Sequence, residues 1–139
     1  MASFNKFFSL VEAIAEKKHD LGADTLKVML TNVAPVATNT VKANLTEIAA
    51  GNGYTAGGTA TAQVSSAQTS GTYKLVLTDT TFTASSGSIG PFQYVVLYND
   101  TATNDELIGW YDYGTALTIT AGNSFTVDFD SSQGVLQIT

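Results

Sequence analysis

Through most of the chain, apolar and polar residues alternate in short runs, each closed by Gly, Asn, Asp or Ser, and this rhythm limits the folds available. A period of two places one face of a run inside and the other in solvent, the pattern of a half-buried β-strand. Leu26, Val28 and Leu30 alternate with Lys27, Met29 and Thr31, and Tyr73, Leu75 and Leu77 alternate with Lys74, Val76 and Thr78. Further strands are expected over Thr59 to Ser66, Thr80 to Ala84, Leu107 to Tyr113, Leu117 to Thr120, Phe125 to Phe129 and Val135 to Ile138. Phe92 to Tyr98 is apolar on both parities, with Phe92, Tyr94, Val96 and Tyr98 on one face and Val95 and Leu97 on the other. Such a strand is buried on both sides, either under an extra layer of its own chain or under a partner. No strand–helix–strand unit occurs, so the class is all-β, an antiparallel sandwich or barrel of about eight strands.

Two helices interrupt the pattern. Phe4, Phe7, Phe8, Val11, Ile14 and Ala15 recur at spacings of three and four, which predicts an amphipathic helix within residues 1–18, N-capped by Ser3, with Lys17 and Lys18 in its last turn. Its apolar face either packs on the rest of the domain or forms an arm that docks on a partner. Asn44 and Glu47 have capping-box spacing ahead of Leu45, Ile48, Ala49 and Ala50, with Gly51 at the C-cap position, which predicts one or two helical turns.

At 139 residues the chain suits one domain, residues 1–139, and a chain of this size buries about 68–70% of its unfolded surface. It contains no Cys, which removes disulfides and thiolate chemistry together. The apolar stretch Phe4 to Ala15 is interrupted by Asn5, Lys6, Ser9 and Glu12, unlike a signal peptide, and no segment has the length of a membrane span. A net charge of -6 with no Arg argues against nucleic-acid binding. All six lysines and the only His lie at or before Lys74, while seven of the twelve carboxylates lie beyond it. That asymmetry points to a binding or structural module rather than an enzyme, with no catalytic residue, cofactor or metal expected.

The local motifs agree. Gly51-Asn52-Gly53-Tyr54-Thr55-Ala56-Gly57-Gly58 is glycine-rich, but it follows a helix, opens a strand and contains no Lys, the reverse of a phosphate loop. Its glycines supply backbone freedom, and Tyr54 anchors it. His19 beside Asp20 reads as a helix-exit histidine with local bonds, since neighbours in sequence seldom form the aligned pair of a triad. Asp128 and Asp130 would share one strand face, a solvated strand end in preference to a calcium site. Asp100, Asp105 and Glu106 form an acidic rim before Leu107. Trp110, Tyr111, Tyr113, Tyr94 and Tyr98 concentrate aromatic surface suited to a protein interface or a carbohydrate platform, with Trp110 expected beside Ile108.

Five blocks together resemble the capsid cement (decoration) proteins of tailed bacteriophages: residues 19–32, 47–58, 89–100, 107–114 and 125–130. They include His19-Asp20-Leu21-Gly22-Ala23-Asp24, Gly90-Pro91-Phe92-Gln93-Tyr94 and Ile108-Gly109-Trp110-Tyr111-Asp112-Tyr113. The resemblance implies a jelly-roll protein, made in the host cytoplasm and seated on the outer surface of the phage head. There it would act as a homodimer that cements neighbouring major capsid protein subunits. The residues themselves nominate Phe4, Phe7, Phe8, Val11, Tyr94, Tyr98 and Trp110 as interface candidates. A tail or fibre component of the virion, or a surface-exposed carbohydrate-binding β-module, are the alternatives.

Overall fold

The computed structural model describes residues 2–139. Its strands are β1 (Phe4–Lys6), β2 (Leu26–Thr31), β3 (Thr59–Thr61), β4 (Gln63–Thr69), β5 (Thr72–Leu77), β6 (Thr80–Thr83), β7 (Ile89–Asn99), β8 (Leu107–Ile119), β9 (Ser124–Val127) and β10 (Leu136–Ile138), with one α-helix, α1 (Ser9–Ala15). All the paired strands are antiparallel. A five-stranded sheet, β1-β8-β7-β2-β3, faces a three-stranded sheet, β10-β5-β4, and a pair, β6-β9. The pairs β7–β8, β6–β9 and β5–β10 nest one inside another along the chain, giving the sandwich a rolled-hairpin, jelly-roll-like winding.

The main core fills the space between the layers. Leu26, Val28 and Leu30 of β2, Val95 and Leu97 of β7 and Tyr111 of β8 meet Leu75 and Leu77 of β5, Phe82 of β6 and Val127 of β9. Registration is consistent across the sheet, because Val28 lies opposite Leu97 and Leu30 opposite Val95, so matched apolar pairs face the same side. A second cluster lies on the outer face of the five-stranded sheet: Phe7, Met29, Val96, Tyr98 and Leu107, with Leu45 and Trp110 packed against it. Residues 40–47 run over this face as a strap, with Leu45 packed on the cluster and Lys42 over the Tyr98 ring, while Ile48 and Tyr54 beyond it reach the main core. From Val95 to Asn99, β7 is therefore buried on both sides by its own chain, the first of the two expected arrangements, while Gln93 and Tyr94 stay half-buried.

Bulges reassign two aromatic residues. The register shifts between Phe92 and Tyr94, so Phe92 joins Val95 and Leu97 in the main core and leaves the parity of Val96 and Tyr98. A second shift at Leu97/Tyr98 sends Ile108 into the main core and Trp110 to the opposite face. Trp110 is thus not beside Ile108.

The expected helix over residues 4–18 is divided. Phe4–Lys6 instead pairs with Tyr111 to Gly109 of β8, gaining sheet hydrogen bonds while the Phe4 ring lies over Gly109, where a Cβ would come within 2.2 Å of it. Ser3 is not the N-cap; that position is Phe8. Helix α1 ends with Lys17 at φ 64, and the N–H groups of Lys17 and Lys18 bond the C=O groups of Ile14 and Ala13, so the two lysines form a Schellman cap beyond the last turn.

The helix expected after Asn44 is absent. A 3-10 turn over Lys42–Asn44 precedes it, and Asn44 Oδ1 caps backwards, accepting from the N–H groups of Thr40 (3.0 Å) and Val41 (3.2 Å). Glu47 is drawn off to a different network described below. The run Thr59 to Ser66 splits at Ala62 into β3 and β4, which belong to different sheets, whereas the two runs from Leu107 to Thr120 join as β8 across Gly114. The split and the joining cancel, so it is β1 that raises the nine expected runs to ten strands. Between β4 and β5, Ser70 (φ 51) and Gly71 (φ 83) make the two-residue turn of a tight hairpin.

Candidate functional site

The seven nominated interface residues separate into covered and open groups. Phe7 is 0% exposed, its ring centroid 4.6 Å from that of half-buried Trp110. Tyr98 is likewise buried, donates its hydroxyl to Gly57 C=O at 2.6 Å and carries Lys42 Nζ over its ring at 5.7 Å. Burial raises its phenol pKa well above the usual value, aided by Asp100, Asp105 and Glu47. Phe4 is half-buried, its ring 5.6 Å from that of Tyr111, and Tyr94 is half-buried on β7. Only Phe8 (62% exposed) and Val11 (56%) are open to a partner. Phe7, Tyr98 and Trp110 come together, but as internal packing.

Phe8 and Val11 stand three residues apart at the start of α1, hence on one side of it. Phe8 N–H donates to Ala37 C=O at 2.9 Å, which ties the foot of the helix to the loop carrying Val33 and Val36. Both valines are also exposed, 56% and 53%. This segment has no regular structure and turns on an Asn39 Oδ1 acceptor for Val36 N–H at 2.8 Å. Phe8, Val11, Val33 and Val36 are the candidate docking residues. The two valines escaped sequence reasoning because no periodicity marks the face of an irregular loop; the one signal was two large apolar residues flanking Pro35.

The glycine-rich loop is a fastening. Glu47 Oε1 accepts from the Tyr54 hydroxyl and from Gly57 N–H, each at 2.6 Å, and the Tyr54 oxygen accepts from Leu30 N–H at 3.1 Å. Lys42 Nζ lies 3.8 Å from the other Glu47 oxygen. Burial first, and the bond to Glu47 second, raise the Tyr54 pKa, so the phenol stays neutral and donates. Gly58 passes so close to β2 that a Cβ would sit 1.8 Å from Val28 C=O. The anchor role expected of Tyr54 is thus met by hydrogen bonds as well as packing.

His19 is not bonded locally. Its Nδ1 meets Asn99 Nδ2 at 2.9 Å, 80 residues away, while Asp20 Oδ1 turns to Gly22 N–H. Strand β9 ends at Val127, so Asp128 and Asp130 do not share a strand face. Asp130 instead accepts from the N–H groups of Ser132 (2.8 Å) and Gln133 (2.7 Å), which hold its carboxyl below the usual range with help from Lys74. Among the described residues no group of three or more His, Asp or Glu is placed to hold a metal ion. In the acidic rim, Asp100 pairs with Lys27 at 3.1 Å and Glu106 accepts from Asn104 N–H. Tyr111 and Tyr113 join the main core, their rings 6.1 Å from Phe129 and 5.2 Å from Phe125. Compared with known proteins, the chain matches no family, no curated protein and no solved structure.

Proposed function

We propose that this protein is a non-enzymatic structural component of a tailed-phage virion that binds the outer surface of the head and ties neighbouring major capsid subunits together. The sequence resemblance supplies the biological setting. The observation that carries a binding role is the exposure of four apolar side chains, Phe8 and Val11 on the helix and Val33 and Val36 on the loop that the Phe8–Ala37 backbone bond ties to its foot. Burying each such side chain fully is worth about 1.5–3 kcal/mol before association costs. A protein that binds only the assembled lattice stabilises it by mass action, and many bridging copies gain from high effective concentration. A homodimer on the capsid belongs to this reading, but the covered faces of β7 do not supply its seam.

Heads assembled without the protein should form and then break at lower temperature than complete heads. Adding back the natural chain should restore them, and the double variant Phe8→Ser, Val36→Ser should restore them poorly while keeping its own melting temperature. Heads of unchanged stability that fail to join tails or adsorb to the host would make the protein a tail or fibre component. A saturable response of Trp110 fluorescence to a bacterial surface glycan would favour the carbohydrate-binding module.

A further inference from the structure

Asn99, the last residue of β7, is 0% exposed and uses its amide to join two segments distant in sequence. Its Oδ1 accepts from the N–H groups of Thr101 (3.0 Å) and Ala102 (3.1 Å), which fixes the orientation of the amide. Nδ2 therefore points to the turn between α1 and β2, where it donates to Asp24 Oδ2 (2.7 Å) and to His19 Nδ1 (2.9 Å). An imidazole that accepts at Nδ1 is neutral and carries its proton on Nε2. That Nε2 is buried and meets no partner in good hydrogen-bond geometry among the described residues, the Leu107 backbone being the polar group that approaches the ring. A buried polar atom left unpaired is costly and calls for an explanation, since an apolar side chain would avoid it.

The junction around this cluster is otherwise well fastened. Thr25 N–H donates to Thr101 Oγ1 (2.8 Å), Asp100 N–H donates to Thr25 C=O (2.9 Å), and Lys27 pairs with Asp100. The charged and titratable groups near the ring are Lys17 and Lys18 after α1, Asp20 and Asp24 in the following turn, Glu106 before β8 and Tyr73 on β5. Burial holds the imidazole below its ordinary value of 6.5; Glu106, Asp24 and the Leu107 backbone pull the other way, and Lys18 adds to the depression.

We propose that His19 and Asn99 form an acid-released clamp between the exit of α1 and the loop joining β7 to β8. Proton uptake from solvent turns His19 Nδ1 from acceptor to donor, so two N–H groups face each other across the former bond. Asn99 has no simple remedy. Flipping its amide would remove the acceptor from Thr101 and Ala102 and set its Oδ1 against the Asp24 carboxylate. The contact opens, and residues 100–106 lose one of their ties to the α1 exit. This clamp is independent of the capsid reading.

Nuclear magnetic resonance of the full chain from about pH 8 to about pH 5 tests the clamp. At neutral pH the His19 ring should be the Nε2–H tautomer; the Nδ1–H tautomer would overturn the proposal. Hydrogen exchange at Thr101 and Ala102, corrected for its intrinsic pH dependence, should quicken by up to about tenfold for each pH unit below 6.5 until the clamped ring itself protonates. His19→Gln keeps an acceptor but does not titrate, so its protection should stay flat. Equal acid response in the two proteins would sink the idea. Should the variant fail to fold, the natural chain still decides: Asn99 side-chain resonances must move in step with the ring titration, and unchanged resonances would refute the clamp.

Discussion

The Tyr54 oxygen stands between Leu30 N–H, from which it accepts, and Glu47, to which it donates. One phenol thus joins β2, the strap and the glycine-rich loop, and Tyr54→Phe leaves a buried donor and a carboxylate without their partner. We expect a loss of about 1–3 kcal/mol in urea denaturation with an unchanged slope. Gly58 and Gly71 separate two demands on glycine, since both have φ near +80 (81 and 83) but only Gly58 lies against backbone, at Val28 C=O. Gly71→Ala should cost about 1–2 kcal/mol of left-handed strain alone. Gly58→Ala should cost about 1–3 kcal/mol more, because β2 must shift to admit the Cβ. A glycine-rich loop was legible from the sequence as a conformational device. The His19–Asn99 bond was not, because no local pattern marks partners 80 residues apart.

Strands β2, β5 and β6 follow from alternation because each has one turn signal at either end and a buried face, whereas β7 was legible as a doubly apolar run whose bulges no parity foretold. Where the chain changes sheets, alternation continues through the break, as from β3 to β4, and gives no warning. The N-terminal segment failed differently. The spacing of Phe4, Phe7, Phe8 and Val11 fits a helix, but the open edge of β8 offered Phe4–Lys6 sheet hydrogen bonds and a place for the Phe4 ring, and tertiary packing overrode the periodicity. An arm held wholly for a partner is therefore wrong for Phe7, and Phe8 keeps the open role. Phe7→Ala should destabilise the protein by about 3–5 kcal/mol, whereas Phe8→Ala should stay within about 0.5 kcal/mol. Removing residues 1–15 should lower the melting transition sharply, since it strips β1 and Phe7 from the sheet. A truncated chain that melts like the natural one would restore the arm. Of the candidate docking residues, Phe8 and Val11 were visible beforehand as members of an apolar helix face, and Val33 and Val36 were not.

The ionisable groups, taken together, set a stability plateau with a limb on either side. His19 has a folded pKa below its ordinary 6.5, so the unfolded chain takes up a proton first and stability declines as pH falls from 6.5 towards the folded value. Asp112 and Asp130 are depressed below 3.8 by hydrogen bonds to their carboxylates, so their contribution is present above 3.8 and is lost as pH falls through their folded values. Acid should therefore act in two stages, and His19→Gln should abolish the first alone. At the alkaline end Tyr54, Tyr98, Tyr111 and Tyr113 all have phenols raised above 10.0, chiefly by burial. The unfolded chain loses these protons near 10.0 while the folded chain keeps them, so stability is full below that pH and falls as pH rises above it. Circular dichroism and tyrosinate absorbance followed together check the point. For these four residues, tyrosinate should appear only as the β signal disappears, because each ring must leave the packed interior to ionise freely. Progressive ionisation of all the tyrosines near pH 10 with the sheets intact would show that the four phenols are open to solvent, and the packing assigned to Tyr98 beneath the strap and to Tyr111 in the main core would be in error.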